Sequence, residues 1–529
     1  IEKSVTVRPN GFENVESQSQ MFSESAVFKV KFPEKSFPNS RQATLKVYPN
    51  LLSHVAESVT GLLKRPYGCG EQTLSSTYPN LLILKLNGKF KNVDEAVLKT
   101  ARSYLQEGYK RMLNYQTKEG AYSYWGNDPN LPLTAYALRF LHDAKDYIEV
   151  DERVTERMQE WLLSEQDKNG SWQNEAITAY VVRALSLDET KDRDIQTALR
   201  KGLEFLKAST EKSKDEYVLA NIALAAYKNG DKATAKTIAE KLVKTVQTSP
   251  EGKFWNTANT PFHAWGKAAS VETTALVLQA ILPFSNEVEF DNAYAGGLAF
   301  IVKNKDGYGV WYSTQTTVNV LDMLISAQER AKAKNINEKT VIFVNGKKVQ
   351  EVLLNESGLT NPTVLDISKF LTALENTVEI KGTGNSSLTM SQIVSAHFSE
   401  WKDAKLDSQY FQMKVDFDKT QAKIGEEITC NVGIERKNNA NGMVLAEIGI
   451  PPGSDVDRSS LEKAKGLSSY DILPDKIVVY FWSGKEKKSF SFKFKSRYGI
   501  NALNATSMVY DYYNPEAQAI VAPIKFEVK

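Results

Sequence analysis

The residues whose types and spacing carry the most chemistry stand together at Arg65-Pro66-Tyr67-Gly68-Cys69-Gly70-Glu71-Gln72. Cys69 is one of only two cysteines in 529 residues, and a glutamine follows it three residues on. A thiol held against a side-chain amide can expel ammonia and leave a cysteinyl-glutamyl thioester. Its carbonyl is a strong electrophile because thiolate leaves readily. A ring that small needs backbone angles that glycine supplies, and Pro66 keeps the chain before it out of a helix. The competing reading of a lone cysteine in a glycine turn is a small buried filler.

No other constellation rivals this one. No grouping of His, Cys, Asp and Glu has metal-site spacing, and no glycine-rich phosphate loop occurs, so neither metal nor cofactor is expected. The formal net charge of +2 gives no electrostatic case for nucleic acid or a membrane surface. No apolar run is long enough to span a bilayer. Hydrophobic residues at 42% and charged residues at 25% are ordinary for a globular protein, and the length suggests three or four domains. The chain opens Ile1-Glu2-Lys3, which reads as a fragment or processed chain whose export signal lies elsewhere. With Cys69 in a thioester, Cys430 has no partner. That scarcity of cysteine leans towards a bacterial or otherwise disulfide-poor envelope protein.

The elements that must position the loop follow from periodicity. Residues 1–48 alternate as strands, clearest at Ala26–Phe32 and Ala43–Tyr48. Near Pro49 the period becomes helical: Leu51, Leu52, Val55, Val59, Leu62 and Leu63 form one face leading into the Cys69 loop. An internal repeat then appears, in which a glycine-aromatic turn precedes an apolar helix. Gly120–Trp125 leads to Leu133-Thr134-Ala135-Tyr136, Gly170–Trp172 to Ile177-Thr178-Ala179-Tyr180, Gly252–Trp255 to Val271–Val277, and Gly307–Trp311 to Thr314–Val320. Glu216–Tyr227 is a further such helix without the turn. Helix pairs that cannot bury their faces alone must pack on neighbours, and closed into a ring they make an α/α toroid with these helices inside. After about Lys334 strands return, with Asn345-Gly346 marking a hairpin turn. From Gln409 seven strands suggest a second sandwich, with a short helix at Asp457–Lys465.

Pro66 to Gln72 resembles the thioester signature of the alpha-2-macroglobulin and complement family, with Gly68 to Gln72 as five consecutive matching residues. The resemblance covers essentially the whole chain, most closely at this loop, at Ser103–Ala144 and around Tyr510. It outweighs the filler reading of Cys69. It implies a multidomain architecture: an α/α-toroid thioester domain (49–334) inserted in a split CUB-like β-sandwich domain (1–48 and 335–403), then a β-sandwich macroglobulin, or receptor-binding-like, domain (404–529).

The same resemblance implies a chemistry. The thioester stays buried until a protease cuts a distant segment, and the exposed carbonyl then acylates a nearby nucleophile. Cys69 would supply the sulfur and leaving thiolate, and Gln72 the acyl carbonyl. Gly68, Gly70 and Glu71 complete the loop, with no separate role for Glu71. Capture happens once per molecule, so the chain is not expected to be an enzyme. Tyr480 and Tyr512 fall where complement-like relatives place aromatic cover for the ring; packing within the last domain is the alternative.

Ester-forming members carry a histidine well downstream of the thioester. Here Lys168–Glu175 runs almost directly into Ile177 and holds no histidine. His54, His142, His263 and His397 are read as structural. Direct attack by amines, with lysines preferred over sugar hydroxyls, is therefore expected. The partners implied are target proteases or cell-surface nucleophiles joined through amide bonds, and the rest of the parent chain. The setting is extracellular or periplasmic. Where vertebrate relatives have paired receptor-binding lysines this chain has Asp455 and Ser459, with Lys463 and Lys465 further on, which argues against clearance-receptor binding. Asn169, Asn355, Asn385 and Asn504 begin glycosylation sequons.

The leading reading is the C-terminal portion of a broad-spectrum protease inhibitor that captures covalently. The alternatives are a complement-like opsonin that tags cell surfaces and, in another class, a toroid enzyme. A toroid glycosidase would need paired carboxylates on the inner loops, and none stands out; a Cys–His hydrolase built on Cys69 would turn over acyl substrates.

Overall fold

The computed structural model describes residues 8–22, 24–90, 93–189, 192–210, 213–258, 260–307, 309–330, 338–354, 361–372, 374–382, 390–403 and 408–529. Asn355, Asn385 and the expected boundary near residue 334 lie outside them. Contacts divide the chain into Glu13–His397 and a second unit of Phe398–Lys529 with the segment ending at Phe12.

In the first unit, strands from both of its ends meet. One sheet has the order Phe12–Met21, Met390–Ser399, Gln42–Tyr48, Thr363–Asp366; the other Ser25–Lys31, Glu375–Gly382, Glu338–Val344, Lys347–Leu354. Alternation puts Phe28, Val30, Leu45, Val47, Ile342, Val378, Ile380 and Ile393 into one apolar core shared by the two sheets. The strands before residue 49 are thus completed by those after 337, as expected. Asn345 and Gly346, both at positive φ, make the tight hairpin.

Between these strands run α1 (Leu51–Gly61), α2 (Gly70–Phe90), α3 (Glu95–Met112), α4 (Leu131–Ala144), α5 (Glu152–Ser164), α6 (Glu175–Leu185), α7 (Arg193–Thr210), α8 (Glu216–Lys228), α9 (Lys232–Lys244), α10 (Gly266–Ile281), α11 (Val288–Lys303) and α12 (Thr314–Arg330). The even-numbered helices each pack on the next, and α12 returns to α2, closing a ring. The odd-numbered helices lie outside, α3 to α11 on the helices that precede them and α1 on α12. The inner helices α4 and α10 are buried nearly all round, whereas outer α5 buries only Met158, Trp161 and Leu162. Because inner and outer helices alternate, the inner N-termini gather at one mouth.

The repeat turns join the layers. Trp172, Trp255 and Trp311 are fully buried and donate their indole N–H to Leu162, Leu242 and Ile301 carbonyls at outer-helix ends, at 2.6–2.7 Å. Their backbone N–H groups donate to the hydroxyls of Thr178, Thr274 and Thr317 on the inner helices, at 2.9–3.1 Å. A Cβ on Gly170 would sit 2.5 Å from the Lys201 carbonyl oxygen, so the turn touches the next outer helix directly.

Ring and sandwich are joined by a buried ionic cluster. Glu57 on α1 accepts from Lys305 Nζ at 2.6 Å, Lys46 Nζ at 2.8 Å and the Tyr48 hydroxyl at 2.6 Å. Gln392, on the strand beside Gln42–Tyr48, donates to the Lys305 and Asp306 carbonyls. Burial alone would raise the Glu57 pKa, but Lys305 and the other donors carry it down to about 2.

In the second unit, one sheet holds Phe411–Phe417, Glu427–Arg436, Lys488–Ser496 and Ser454–Val456; another holds Ser469–Ile472, Lys476–Ser483, Gly442–Gly449, Ser507–Asp511 and Asn514–Val521. Arg436 of the first pairs with Asp511 of the second at 2.8 Å in full burial. The long strands match expectation, but the strand expected over Ala505–Tyr513 is confined to Ser507–Asp511. Asp511 Oδ1 accepts from the backbone N–H of Tyr513 and Asn514, forming a turn that starts a new strand. The strand expected over Ala519–Val528 begins earlier, at Asn514, and is broken into Asn514–Val521 and Lys525–Val528 on either side of Pro523. Asn504 is no open sequon: it is buried and bonded to the Gly449 carbonyl and the Ile524 N–H.

Two outcomes follow. Trp172→Phe deletes the indole donor and leaves a buried carbonyl unpaired, so the denaturation midpoint should fall, by ~1–3 kcal/mol of stability. Glu272, buried on α10, has its pKa pushed up to about 7 by burial, against the opposing charges of Arg183 and Arg139. Its folded pKa lies above the unfolded one, so its contribution is full below about pH 4.5 and is lost as pH rises through 7. Stability should drop by up to ~3 kcal/mol across that window, and Glu272→Gln should flatten the profile measured by unfolding at several pH values.

Candidate functional site

The Cys69 loop lies where α2 begins, at the mouth where the inner N-termini gather. Cys69 and Gln72 are buried, 3% and 4% exposed. Gly70 is the first residue of α2, and the Cys69 carbonyl accepts the Thr73 N–H at 2.8 Å. Glu71 and Gln72 therefore occupy the first helical turn. The Gln72 side chain folds back over Gly68: a Cβ at 68 would lie 1.9 Å from Gln72 Oε1, and φ there is +75°. That oxygen accepts the Cys69 backbone N–H at 3.0 Å. At Gly70 a Cβ would strike the Ser123 carbonyl oxygen at 2.1 Å, because the loop is pressed against the turn ahead of α4. Gly70 N–H donates to the Tyr124 carbonyl at 2.8 Å.

Burial is the largest influence on the Cys69 thiol and, with the charge of Glu71, pushes its pKa up to about 12. The N–H groups of Gln72 and Glu71 at the helix start pull the other way. A free Cys69 is accordingly a protonated thiol at neutral pH. Glu71 turns inwards, accepting from Ser75 Oγ at 2.5 Å and from Gln315 Nε2 of α12 at 3.5 Å.

Three residues that the sequence reading did not single out grip the loop. Arg111, in the last turn of α3, donates through Nη2 to the Gly68 carbonyl at 2.7 Å and through Nε to Thr73 Oγ1 at 3.1 Å. Tyr115 donates to the same Gly68 carbonyl at 2.6 Å. Tyr122 donates to the Gly70 carbonyl at 3.1 Å, and its own N–H donates to Thr134 Oγ1 at 2.9 Å. Tyr122 therefore holds the slot that Trp172, Trp255 and Trp311 hold in later repeats, with its donor turned to the loop. The signal was present: tyrosine stands at 122 where the later turns carry tryptophan.

The other expected residues fall as follows. His54 is buried and stacks on Tyr48 at 3.9 Å between ring centres; His397 meets Phe32 edge-on; His142 lies 3.5 Å from Asp143 at the end of α4. His263, at φ +61°, follows Phe262, which wedges between Tyr136 and Tyr180 at the ring's mouth. Lys168–Glu175 is a tight turn around buried Trp172. Tyr480 is buried, and its hydroxyl donates to Asp471 at 3.0 Å. Tyr512 is half-buried in the turn after Ser507–Asp511, edge-on to Tyr513. Asp455 lies in a strand and Ser459 in the short helix Arg458–Glu462, so the two do not share a helix face. Cys430 is buried and unbridged. Among the described residues no His, Cys, Asp and Glu group could hold a metal ion, and no helix is long and apolar enough to cross a membrane.

A cysteine and a glutamine brought together at the mouth of a helical ring, on a split sandwich, define a thioester-type domain. The profile of the A-macroglobulin TED domain matches residues 43–177 and 173–326, and that of the A-macroglobulin receptor binding domain matches 439–522. The chain belongs to the alpha-2-macroglobulin and thioester-containing protein family. It is 22% identical to thioester-containing protein 1 allele S1 of Anopheles gambiae, over 98% of this chain and 40% of the relative. It is also 22% identical to ovostatin of Gallus gallus, over 98% of this chain and 37% of the relative. It thus spans about two fifths of those proteins. Its fold is similar to native alpha-2-macroglobulin of Escherichia coli from domain MG7 to the C-terminus (TM-score 0.71, 14% identity, 99% of this chain and 83% of that one). It is likewise similar to Salmonella alpha-2-macroglobulin reacted with methylamine (TM-score 0.73, 16% identity, 99% and 34%).

A free Cys69 thiol in the folded chain should alkylate at pH 8 at least ~100-fold more slowly than in denaturant, because both access and thiolate fraction are reduced. Mass mapping of the Cys69 peptide over time reads the ratio; equal rates would contradict the burial.

Proposed function

We propose that this chain is the C-terminal portion of a covalent protease trap, armed by a thioester between Cys69 and Gln72. The observation that carries the reading is the Gln72 side chain folded over Gly68, its oxygen on the Cys69 N–H, beside a buried thiol. In forming the bond, Cys69 Sγ attacks Gln72 Cδ, the Cδ–Nε2 bond breaks, and ammonia leaves with the thiol proton. In capture, a lysine amine attacks the same carbon, the C–S bond breaks, and the thiolate takes the amine's proton. Each molecule reacts once. Burial supports the resting state, since water must be kept from the ring.

Amines are the favoured nucleophiles because the Lys168–Glu175 turn offers no histidine to relay the acyl group to hydroxyls. That supports trapping over opsonisation. Target proteases are the proposed partners, with the remainder of the parent protein supplying the trigger, and the family's extracellular or periplasmic setting goes with this reading. The proposed domain limits stay at 1–48, 49–334, 335–403 and 404–529. As cover for the ring we propose Tyr480 and Tyr512, on the family resemblance.

The test is an intact mass lower by one ammonia, which methylamine raises by the mass of one methylamine with release of one thiol. Gly68→Ala should abolish the deficit, since the new Cβ takes the place of the Gln72 oxygen. A full mass in freshly prepared chain, with Cys69 open to alkylation after unfolding, would defeat the reading. Offered together, methylamine should be captured faster than glycerol; the reverse order would point to ester formation.

A further inference from the structure

The Gly68 carbonyl and the Cys69 N–H belong to one peptide group. Its oxygen receives Arg111 Nη2 at 2.7 Å and the Tyr115 hydroxyl at 2.6 Å. Its N–H donates to Gln72 Oε1 at 3.0 Å. We propose that Arg111 and Tyr115 are positioning residues for the thioester: by holding the Gly68 carbonyl they orient and polarise this peptide, so that its N–H stabilises charge on the Gln72 oxygen when the ring forms and when it opens. The proposal rests on the thioester reading above.

The physical reasons are three. Both steps pass through a tetrahedral carbon at Gln72 Cδ with negative charge on Oε1, and a fixed N–H donor there lowers that barrier. Donors placed on a peptide oxygen strengthen the same peptide's N–H as a donor, and a cationic donor does so most. Gly68, at φ +75°, gives the peptide freedom that must be removed from outside. Arg111 removes it with a fork: its Nε is held by Thr73 Oγ1 on α2, and its Nη2 by the carbonyl on the other side of Cys69. On the other side of Cys69, the Gly70 N–H donates to the Tyr124 carbonyl at 2.8 Å, so both peptides beside the sulfur are held from the α3–α4 segment, and Tyr122 holds the Gly70 carbonyl one peptide further on.

A purely structural role and a polarising role predict opposite signs. Loosening the loop would admit amines and speed capture; losing the polarised N–H slows it. In the full chain, Tyr115→Phe, Arg111→Lys and Arg111→Gln are compared with wild type for thermal midpoint, mass deficit and the rate of thiol release by methylamine. Tyr115→Phe should slow release about 2- to 10-fold and Arg111→Gln about 10- to 100-fold, with Arg111→Lys between them. Variants that fold and react as fast as wild type, or faster, overturn the proposal. Tyr115→Phe, which removes a single hydroxyl, carries the comparison if Arg111→Gln does not fold. A wild-type chain without the mass deficit brings down the thioester reading instead. The clamp is then judged by hydrogen exchange of the Cys69 amide, which the variants should speed by the same factors; unchanged exchange overturns it.

Discussion

The Gln72 amide occupies the space that a side chain on residue 68 would fill, with its oxygen 1.9 Å from where that Cβ would be. This contact sets the Gln72 amide against the backbone N–H of Cys69, three residues back along the chain, and it constrains everything around it. The loop must turn at positive φ, which Gly68 allows, and must pass directly into a helix so that Gln72 stands one turn above Cys69. It must also press its backbone against a neighbouring turn, which Gly70 allows. At the helix start the N–H groups favour the Cys69 anion that burial disfavours.

The ring of helices gives that loop a rigid frame by repetition. Each turn's tryptophan binds an outer-helix carbonyl through its indole and an inner-helix threonine through its backbone, so one device closes both layers. At the first turn the aromatic donor is spent on the Gly70 carbonyl instead. The site is thus an altered repeat unit rather than an addition to the ring. Just ahead of α12, the inner helix beside α2, Lys305 lies buried on Glu57 beside Tyr48 and Lys46, binding the α11–α12 connection to the sandwich. A buried charge set of this kind holds only while every partner stays in place, because removing one leaves the others unpaired.

Much of the architecture was legible along the chain because it rests on local period. Alternation marked the strands at Ala26–Phe32 and Thr340–Val344, and helical spacing marked the inner helices after each aromatic turn. Reading failed where a single side chain overrides period: Asp511 starts a turn that ends one strand short of Tyr513, and Pro523 breaks another. The fate of Asn504 was equally invisible, since its sequon is intact and only packing turns it inwards.

By itself the sequence determined the Cys69 and Gln72 pair, the glycines on either side of the cysteine, the absence of a histidine in Lys168–Glu175, and the insertion of a helical repeat between strands. These are properties of residue type and short spacing. Tertiary structure decided what surrounds the pair. Arg111, Tyr115 and Tyr122 stand 42, 46 and 53 residues beyond Cys69 by their numbers, and no local pattern says that their donors converge on the carbonyls beside it. That convergence arises because α3 folds back along α2 and the next turn closes over its start. A hydrogen bond across such a distance is set by how helices pack, which no short stretch of sequence encodes.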